Sequence, residues 1–173
     1  GQYSVVYPSH AEIMIKIIRK HLFRDNLNMN ESVIIDGTAN VGGFVLTAAK
    51  YFKKVHAVEL SEMNMIALKN NIEAYNRKNV ELHLGDCTEV MKGLQHNVIF
   101  LDPPWGGPYG YAEKAMNIKL SNYTMADIIN EYNKSLIVLR LPKNYDYNSL
   151  IQGIKVRRST TVYSVSNYYL VII

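Results

Sequence analysis

The hydrophobic pattern of the chain alternates between two kinds of segment. Apolar runs of about four to eight residues indicate buried strands, and apolar residues spaced three or four positions apart indicate helices. The predicted strands are Ser32–Gly37, Lys54–Leu60, Val80–Asp86, Asn97–Asp102 and Ser135–Pro142. The predicted helices are Ser9–Phe23, Gly42–Phe52, Ser61–Asn76 and Thr124–Tyr132.

This alternation predicts an α/β fold with a mostly parallel central sheet and helices on both faces. Lys155–Ile173 is rich in Val, Thr and Tyr and contains no helical pattern. It therefore predicts a C-terminal antiparallel hairpin. The length of 173 residues suits a single domain, which we divide into a short N-terminal segment, 1–8, and a core, 9–173.

Two serines are candidate helix caps. Ser9 stands three residues before Glu12 and ahead of an apolar run, the pattern of a capping box. Ser61 precedes the third predicted helix and can cap it with its hydroxyl.

Composition narrows the class of protein. Hydrophobic residues make up 48% and charged residues 20%, which is typical of a globular domain and excludes a disordered chain. The one cysteine, Cys87, excludes an internal disulfide and indicates a reducing compartment. We see no secretion signal and no run long enough to cross a membrane, so we expect an intracellular protein of the nucleus, cytoplasm or a viral factory. The net charge of +4 weakly favours a polyanionic partner.

Four successive predicted strands end in an acid. These acids are Asp36, Glu59, Asp86 and Asp102. In a parallel sheet the carboxyl ends of the strands share one edge, and ligands bind there near the point where the strand order reverses. The sequence therefore predicts the functional site at this edge.

The segment around the first acid, DGTANVGG, lets the backbone approach a ligand closely through its two glycines, Gly42 and Gly43. Glu59 stands 23 positions after Asp36, where an acid can accept both ribose hydroxyls. Asp86 can accept a hydrogen bond from the 6-amino group of adenine. Each acid also has a plainer interpretation, as a strand end or as the cap of the next helix.

This order of glycine turn and acids resembles class I S-adenosylmethionine-dependent methyltransferases. The resemblance implies a Rossmann-like fold and S-adenosylmethionine as the cofactor. Asn40 stands where a glycine is common in that family, and Asn tolerates positive φ. The predicted cofactor site consists of Asp36, Thr38, Asn40, Gly42, Glu59, Asp86, Cys87 and Asp102. We expect Cys87 to be a packed side chain rather than a nucleophile.

After the fourth acid the chain continues as DPPWGGPYGY, which resembles the signature of methyltransferases that act on amino groups. The lone pair of an aryl amine is delocalised, so the nitrogen is a weak nucleophile. Asp102 and the carbonyl of Pro103 can accept its two N–H groups and direct the lone pair at the methyl group. The predicted catalytic residues are Asp102, Pro103 and Trp105, and no metal is required because the sulfonium already activates the methyl.

The longer string PPWGGPYGY, together with NIKL and LRLPKN, resembles the trimethylguanosine synthase family across nearly the whole chain. That resemblance implies methylation of the 2-amino group of a 7-methylguanosine RNA cap, with Trp105 stacked on the cationic base. The predicted substrate-binding residues are Trp105, Gly106, Tyr109, Tyr111 and Lys143. The two tyrosines could equally cover the loop. Trp105 could instead be a packing or interface residue, although the prolines and glycines around it indicate an exposed corner.

Basic residues offer a further set of candidates for contact with the cap triphosphate or the RNA backbone. For any one of them, a solvated surface charge is the simpler interpretation. They are Lys114, Lys119, Arg140, Lys143, Arg157 and Arg158.

The sequence thus predicts an enzyme with capped RNA as its partner and no membrane contact. Two alternatives remain open. The enzyme could methylate an exocyclic amino group of adenine or guanine in other RNA or DNA. The chain could instead be a module of a larger protein that binds cap or cofactor without turnover.

Overall fold

The computed structural model describes residues 5–106 and 115–173. The strands that it describes are β1 Val33–Asp36, β2 Lys54–Glu59, β3 Val80–Leu84, β4 Val98–Leu101, β5 Lys119–Leu120, β6 Tyr123–Thr124, β7 Leu136–Pro142, β8 Thr161–Val165 and β9 Tyr168–Ile172. Seven of them form one sheet in the order β3-β2-β1-β4-β7-β9-β8. The short strands β5 and β6 form a separate antiparallel pair.

The first five strands of the large sheet are parallel. Each neighbouring pair, β3 with β2, β2 with β1, β1 with β4 and β4 with β7, runs in the same direction. β9 pairs with both β7 and β8 in the antiparallel sense. The predicted mostly parallel sheet and C-terminal hairpin are therefore confirmed. The strand order reverses between β1 and β4, so a crevice opens at their carboxyl ends.

Helices cover both faces of the sheet. They are α1 Pro8–Arg24, α2 Val45–Ala48, α3 Glu62–Ala74, α4 Cys87–Val90, α5 Met125–Glu131 and α6 Tyr147–Gly153. Short 3₁₀ turns occupy Met29–Glu31 and Met91–Gly93. Within the described parts of the chain, every helix is too short or too polar to cross a lipid bilayer.

Side-chain alternation along the strands divides the core into two clusters. Ile34, Val98 and Phe100 pack with residues of α1, α2 and α3 on one face. Ile35 and Ile99 pack with residues of α4, α5 and α6 on the other. Because both faces are buried, the central strands are apolar throughout, as expected for parallel strands.

The two predicted helix caps have different outcomes. The Ser61 side chain accepts the backbone N–H of Asn64 at 3.4 Å, so that cap is confirmed. The capping box of Ser9 and Glu12 is wrong, because α1 begins one residue earlier at Pro8 and has no side-chain cap. Glu12 instead forms an ion pair with Lys50, whose Nζ lies 2.9 Å from Oε1 of Glu12.

The sequence patterns overestimated the length of one helix and missed three short elements. The second predicted helix, Gly42–Phe52, is helical only over the four residues of α2. Helix α6 and the pair β5–β6 were not predicted, because each is short.

The extended residues before α1 pack against the loop that follows β1. A Cβ atom added to Gly43 would lie 2.4 Å from the carbonyl oxygen of Val6 and 3.0 Å from its backbone nitrogen. Neither backbone atom can move as a flexible side chain would. A glycine is therefore required where these two segments meet.

We expect Gly43→Ala to lower the free energy of unfolding by ~1–3 kcal/mol through this overlap. Gly93→Ala is the matched control, since a Cβ there would meet nothing within 4 Å. Urea unfolding of both variants measures the difference. Equal stability of the two variants would contradict the packing of Val6 against Gly43.

Candidate functional site

A cleft of about 440 Å³ opens at the carboxyl ends of the parallel strands. Its volume lies within the usual range of small-molecule sites. The wall includes residues that follow each of β1, β2, β3 and β4, and it is closed on one side by the β5–β6 pair. The lining residues are Gly37, Thr38, Asn40, Glu59, Leu60, Ser61, Asn64, Gly85, Asp86, Cys87, Asp102, Pro104, Lys119, Leu120 and Ser121. Six of the residues predicted from sequence for the cofactor site are thus brought together.

The loop after β1 is held by its own acid and by the neighbouring strand. Asp36 accepts the backbone N–H of Thr38 at 3.0 Å, and the Thr38 hydroxyl accepts the backbone N–H of Asp102 at 2.7 Å. Asn40 adopts φ 51° and Gly42 adopts φ 98°. Asn40 therefore does take the left-handed conformation that the sequence allowed for it.

Glu59 organises the loops around it. One carboxylate oxygen accepts the backbone N–H of Asn40 at 2.7 Å, and the other accepts that of Ser61 at 2.8 Å. The side chain of Asn64 donates to the same carboxylate at 3.4 Å. Glu59 is buried yet lines the cleft, so it joins the β1 loop to the start of α3 at the wall of the site.

Asp86 serves as a helix cap. It accepts the backbone N–H of Thr88 at 2.9 Å, which caps α4, and its second oxygen accepts the hydroxyl of Ser121. These bonds lower the pKa of Asp86, with the Ser121 contact the largest cause. The simpler interpretation of Asp86, as a helix cap, is therefore confirmed, and its binding of adenine stays a prediction. Burial raises the pKa of Cys87 to about 12, which agrees with a packed thiol.

The acid after β4 forms a buried ion pair. Oδ2 of Asp102 lies 2.6 Å from Nη1 of Arg140, and their side chains are only 7% and 11% exposed. Burial raises the pKa of Asp102 to about 6, although the Arg140 guanidinium opposes the rise. The sequence offered two interpretations of Arg140, a phosphate contact or a solvated surface charge. The second is wrong, because the side chain is buried in this ion pair.

Arg140 is also enclosed by aromatic rings. Its guanidinium carbon lies 4.5 Å from the centre of the Trp105 ring and 4.4 Å from that of Tyr168 in β9. Trp105 is half-buried and packs against both core clusters rather than standing in a fully exposed corner. The ion pair thus links the end of β4 to β7 and to the C-terminal hairpin.

The remaining predicted residues have varied positions. Pro103 is buried, and Gly106 is exposed with φ 71°. Lys143 is exposed just beyond β7, with its ammonium 5.7 Å from the centre of the Tyr169 ring. The predictions for Tyr109, Tyr111 and Lys114 lie outside the described residues.

Sequence reasoning did not name Ser121 as a site residue, and it did not predict that Arg140 pairs with Asp102. The partner of Arg140 is 38 positions away and that of Ser121 is 35 positions away. The one available signal was the position of Arg140 inside an apolar strand, where an unpaired charge is unfavourable.

The family model described as RNA cap guanine-N2 methyltransferase matches residues 31–170. An uncharacterized protein of Acanthamoeba polyphaga mimivirus is 33% identical over 73% of this chain and 52% of its own length. The trimethylguanosine synthase of Schizosaccharomyces pombe is 27% identical over 68% of this chain and 53% of its own length. The chain therefore spans about half the length of these relatives.

Solved structures with the same fold include methyltransferases. An rRNA methylase from Streptococcus thermophilus has a TM-score of 0.59 and 15% identity, covering 88% of this chain and 91% of that one. A methyltransferase from Streptococcus mutans, described as a complex with SAH, has a TM-score of 0.60 and 17% identity. It covers 90% of this chain and 96% of its own. At these identities the likeness shows the Rossmann-like fold alone.

The acid at the end of β1 should make stability depend on pH. Burial raises the pKa of Asp36 to about 8, and the nearby carboxylates of Asp102 and Glu59 add to the rise. Between pH 7 and pH 8 the unfolded chain therefore binds fewer protons than the folded one. Raising the pH then favours unfolding.

We expect the free energy of unfolding to fall by ~1 kcal/mol between pH 7 and pH 8. Asp36→Asn keeps an oxygen that can accept the Thr38 N–H but does not titrate, so this fall should disappear. Urea unfolding of both proteins at the two pH values measures it. The same fall in the variant would show that another group is responsible.

Proposed function

The chain belongs to the RNA cap guanine-N2 methyltransferase family, and we propose that it methylates the 2-amino group of a 7-methylguanosine RNA cap with S-adenosylmethionine. The observation that carries the proposal is the shared cleft. Asp102 and Pro104 of the DPPW segment line the same cavity as Glu59 and Asp86. This shared cleft supports a proposed amino-group acceptor next to a proposed nucleoside site.

The cleft residues fit S-adenosylmethionine. We assign the ribose hydroxyls to Glu59 and the adenine amino group to Asp86, both of which line the cleft. The methionine part would lie along the β1 loop near Thr38 and Asn40, where Gly42 gives the backbone its positive φ. When bound, the cofactor supplies a methyl group that its positive sulfur has already activated.

Asp102 and Pro103 would prepare the attacking nitrogen. We assign one N–H of the amine to the Asp102 carboxylate, whose other oxygen is held by Arg140. The second N–H goes to the Pro103 carbonyl. With a methyl group supplied by the cofactor, the amine proton would pass to Asp102, which lines the cleft and could release it to solvent. The two prolines fix this geometry before the substrate arrives.

Trp105 would hold the base. A 7-methylguanine carries a positive charge, and the face of Trp is the strongest aromatic partner for a cation. Arg140 lies 4.5 Å from the centre of the ring, and we assign the base to the same side chain as a second cationic partner. Gly106 follows with an exposed backbone. Tyr109, Tyr111 and Lys143 complete the proposal, with Lys143 directed to the cap triphosphate.

The main test is methyl transfer from labelled S-adenosylmethionine to 7-methyl-GTP, with unmethylated GTP as the paired substrate. We expect product from 7-methyl-GTP only, and mass spectrometry counts the methyl groups added. Equal use of both substrates would overturn cap specificity and favour a general base-amino methyltransferase. Cofactor binding without product from either cap analogue or from capped RNA would favour a non-catalytic module.

The stacking role can be tested at Trp105. Trp105→Leu keeps an apolar side chain but removes the aromatic face, whereas Trp105→Phe retains one. We expect kcat/KM for 7-methyl-GTP to fall roughly 10- to 100-fold in the Leu variant and less in the Phe variant. Binding of S-adenosylhomocysteine, measured by calorimetry, should be unchanged. Equal loss in both variants would show that packing, not stacking, is what Trp105 provides.

Arg140 should act as a positioning residue through the charge of Asp102. Because the acceptor must be ionised, activity should rise with pH through the Asp102 pKa of about 6. Arg140→Met removes the opposing cation, so the rise should move to higher pH, and Arg140→Lys should restore it in part. A pH–rate profile that is unchanged in Arg140→Met would contradict this role.

A further inference from the structure

Three potential metal ligands converge on one face of the sheet at the pair β2–β3. His56 of β2 lies directly opposite Glu81 of β3 in the parallel register. His83 follows Glu81 by two positions, and alternate residues of a strand project to the same face. All three ligand atoms lie within 4.8 Å of one another.

The spacing of these atoms suits a tetrahedral ion. Nδ1 of His56 lies 2.9 Å from Nε2 of His83 and 4.0 Å from Oε2 of Glu81. Nε2 of His83 lies 3.5 Å from Oε1 of Glu81. Bonds of about 2.0–2.1 Å at tetrahedral angles place two zinc ligands about 3.4 Å apart. Binding an ion would replace the hydrogen bond between His56 and His83, and one carboxylate oxygen of Glu81 would have to approach both nitrogens.

The chemical state of the ligands is also suitable. His56 is 4% exposed, and burial lowers its pKa, so the neutral form that binds metals is favoured. The hydrogen bond from Lys54 lowers the pKa of Glu81 and keeps it a carboxylate. Lys54 contacts Oε2 at 2.5 Å, and ligating carboxylates commonly have such an outer partner.

We propose that His56, Glu81 and His83 bind a divalent transition-metal ion of the zinc class at a site separate from the methyl-transfer cleft. The Glu81 side chain is 49% exposed, so an ion can enter from solvent and water can supply the fourth ligand. The set of two imidazoles and one carboxylate suits zinc better than magnesium or calcium, which prefer oxygen ligands.

The site would act on structure rather than on chemistry. β3 is the edge strand of the seven-stranded sheet, and beyond it the chain reaches Asp86 at the cleft. An ion shared by β2 and β3 would fasten this edge strand to the sheet interior.

The test uses the whole chain without a purification tag, treated with EDTA and then dialysed. Titration with ZnCl₂ in a calorimeter should show one ion bound per chain, and CoCl₂ should give the visible absorption of a tetrahedral site. His83→Gln and Glu81→Gln should each weaken zinc binding about 10- to 100-fold or more. Zinc should raise the melting temperature of the wild type but not of these variants.

Matched controls are a histidine and a glutamate outside the cluster, His10→Gln and Glu73→Gln. Both should bind zinc like the wild type. No binding by the wild type, or undiminished binding by both cluster variants, would overturn the proposal. If His83→Gln fails to fold, Glu81→Gln decides the question, because its side chain is half-exposed and tolerates the change.

Discussion

The site depends first on the buried ion pair between Asp102 and Arg140. A charge that leaves water is tolerated only beside an opposite charge with good geometry, so each residue fixes the position of the other. Arg140 in turn lies between the rings of Trp105 and Tyr168. One guanidinium group therefore ties together the end of β4, the middle of β7 and the start of β9. The C-terminal hairpin therefore helps to position the end of β4 through Tyr168 and is not an appendage to the sheet.

A second constraint is that a parallel sheet gathers acids at one edge and must then satisfy them. Asp36 accepts from Thr38, and Glu59 accepts from Asn40, before any ligand is present. The same carboxylates stand at or behind the wall of the cleft. The order of the loops and the proposed ligand binding would therefore use the same atoms. A nucleoside bound at Glu59 would add to an existing network rather than create one, which favours a preorganised site.

Sequence patterns predicted the sheet, the hairpin and the strand-end acids well, because these follow from local hydrophobic spacing. Ser61 is a cap as predicted, since one residue and its neighbours determine that structure. Ser9 was also predicted as a cap, but α1 begins one residue earlier at Pro8, and Glu12 pairs with the distant Lys50 instead. The pairing of Arg140 with Asp102 was equally inaccessible, because a spacing of 38 positions has no local signature. The sequence patterns therefore missed side-chain contacts between residues that are distant along the chain, whereas they identified the residue types of the site.

The place of β9 between β7 and β8 has a consequence for synthesis on the ribosome. The parallel strands are complete once residue 142 has emerged, but Arg140 then lacks the ring of Tyr168 and the pairing of β7 with β9. At roughly 5–20 residues per second, the nascent chain spends on the order of seconds in this state. During that interval an open strand edge and a half-covered charge are exposed together. Until Tyr168 is added, such a chain would be prone to pair its open edge with other strands.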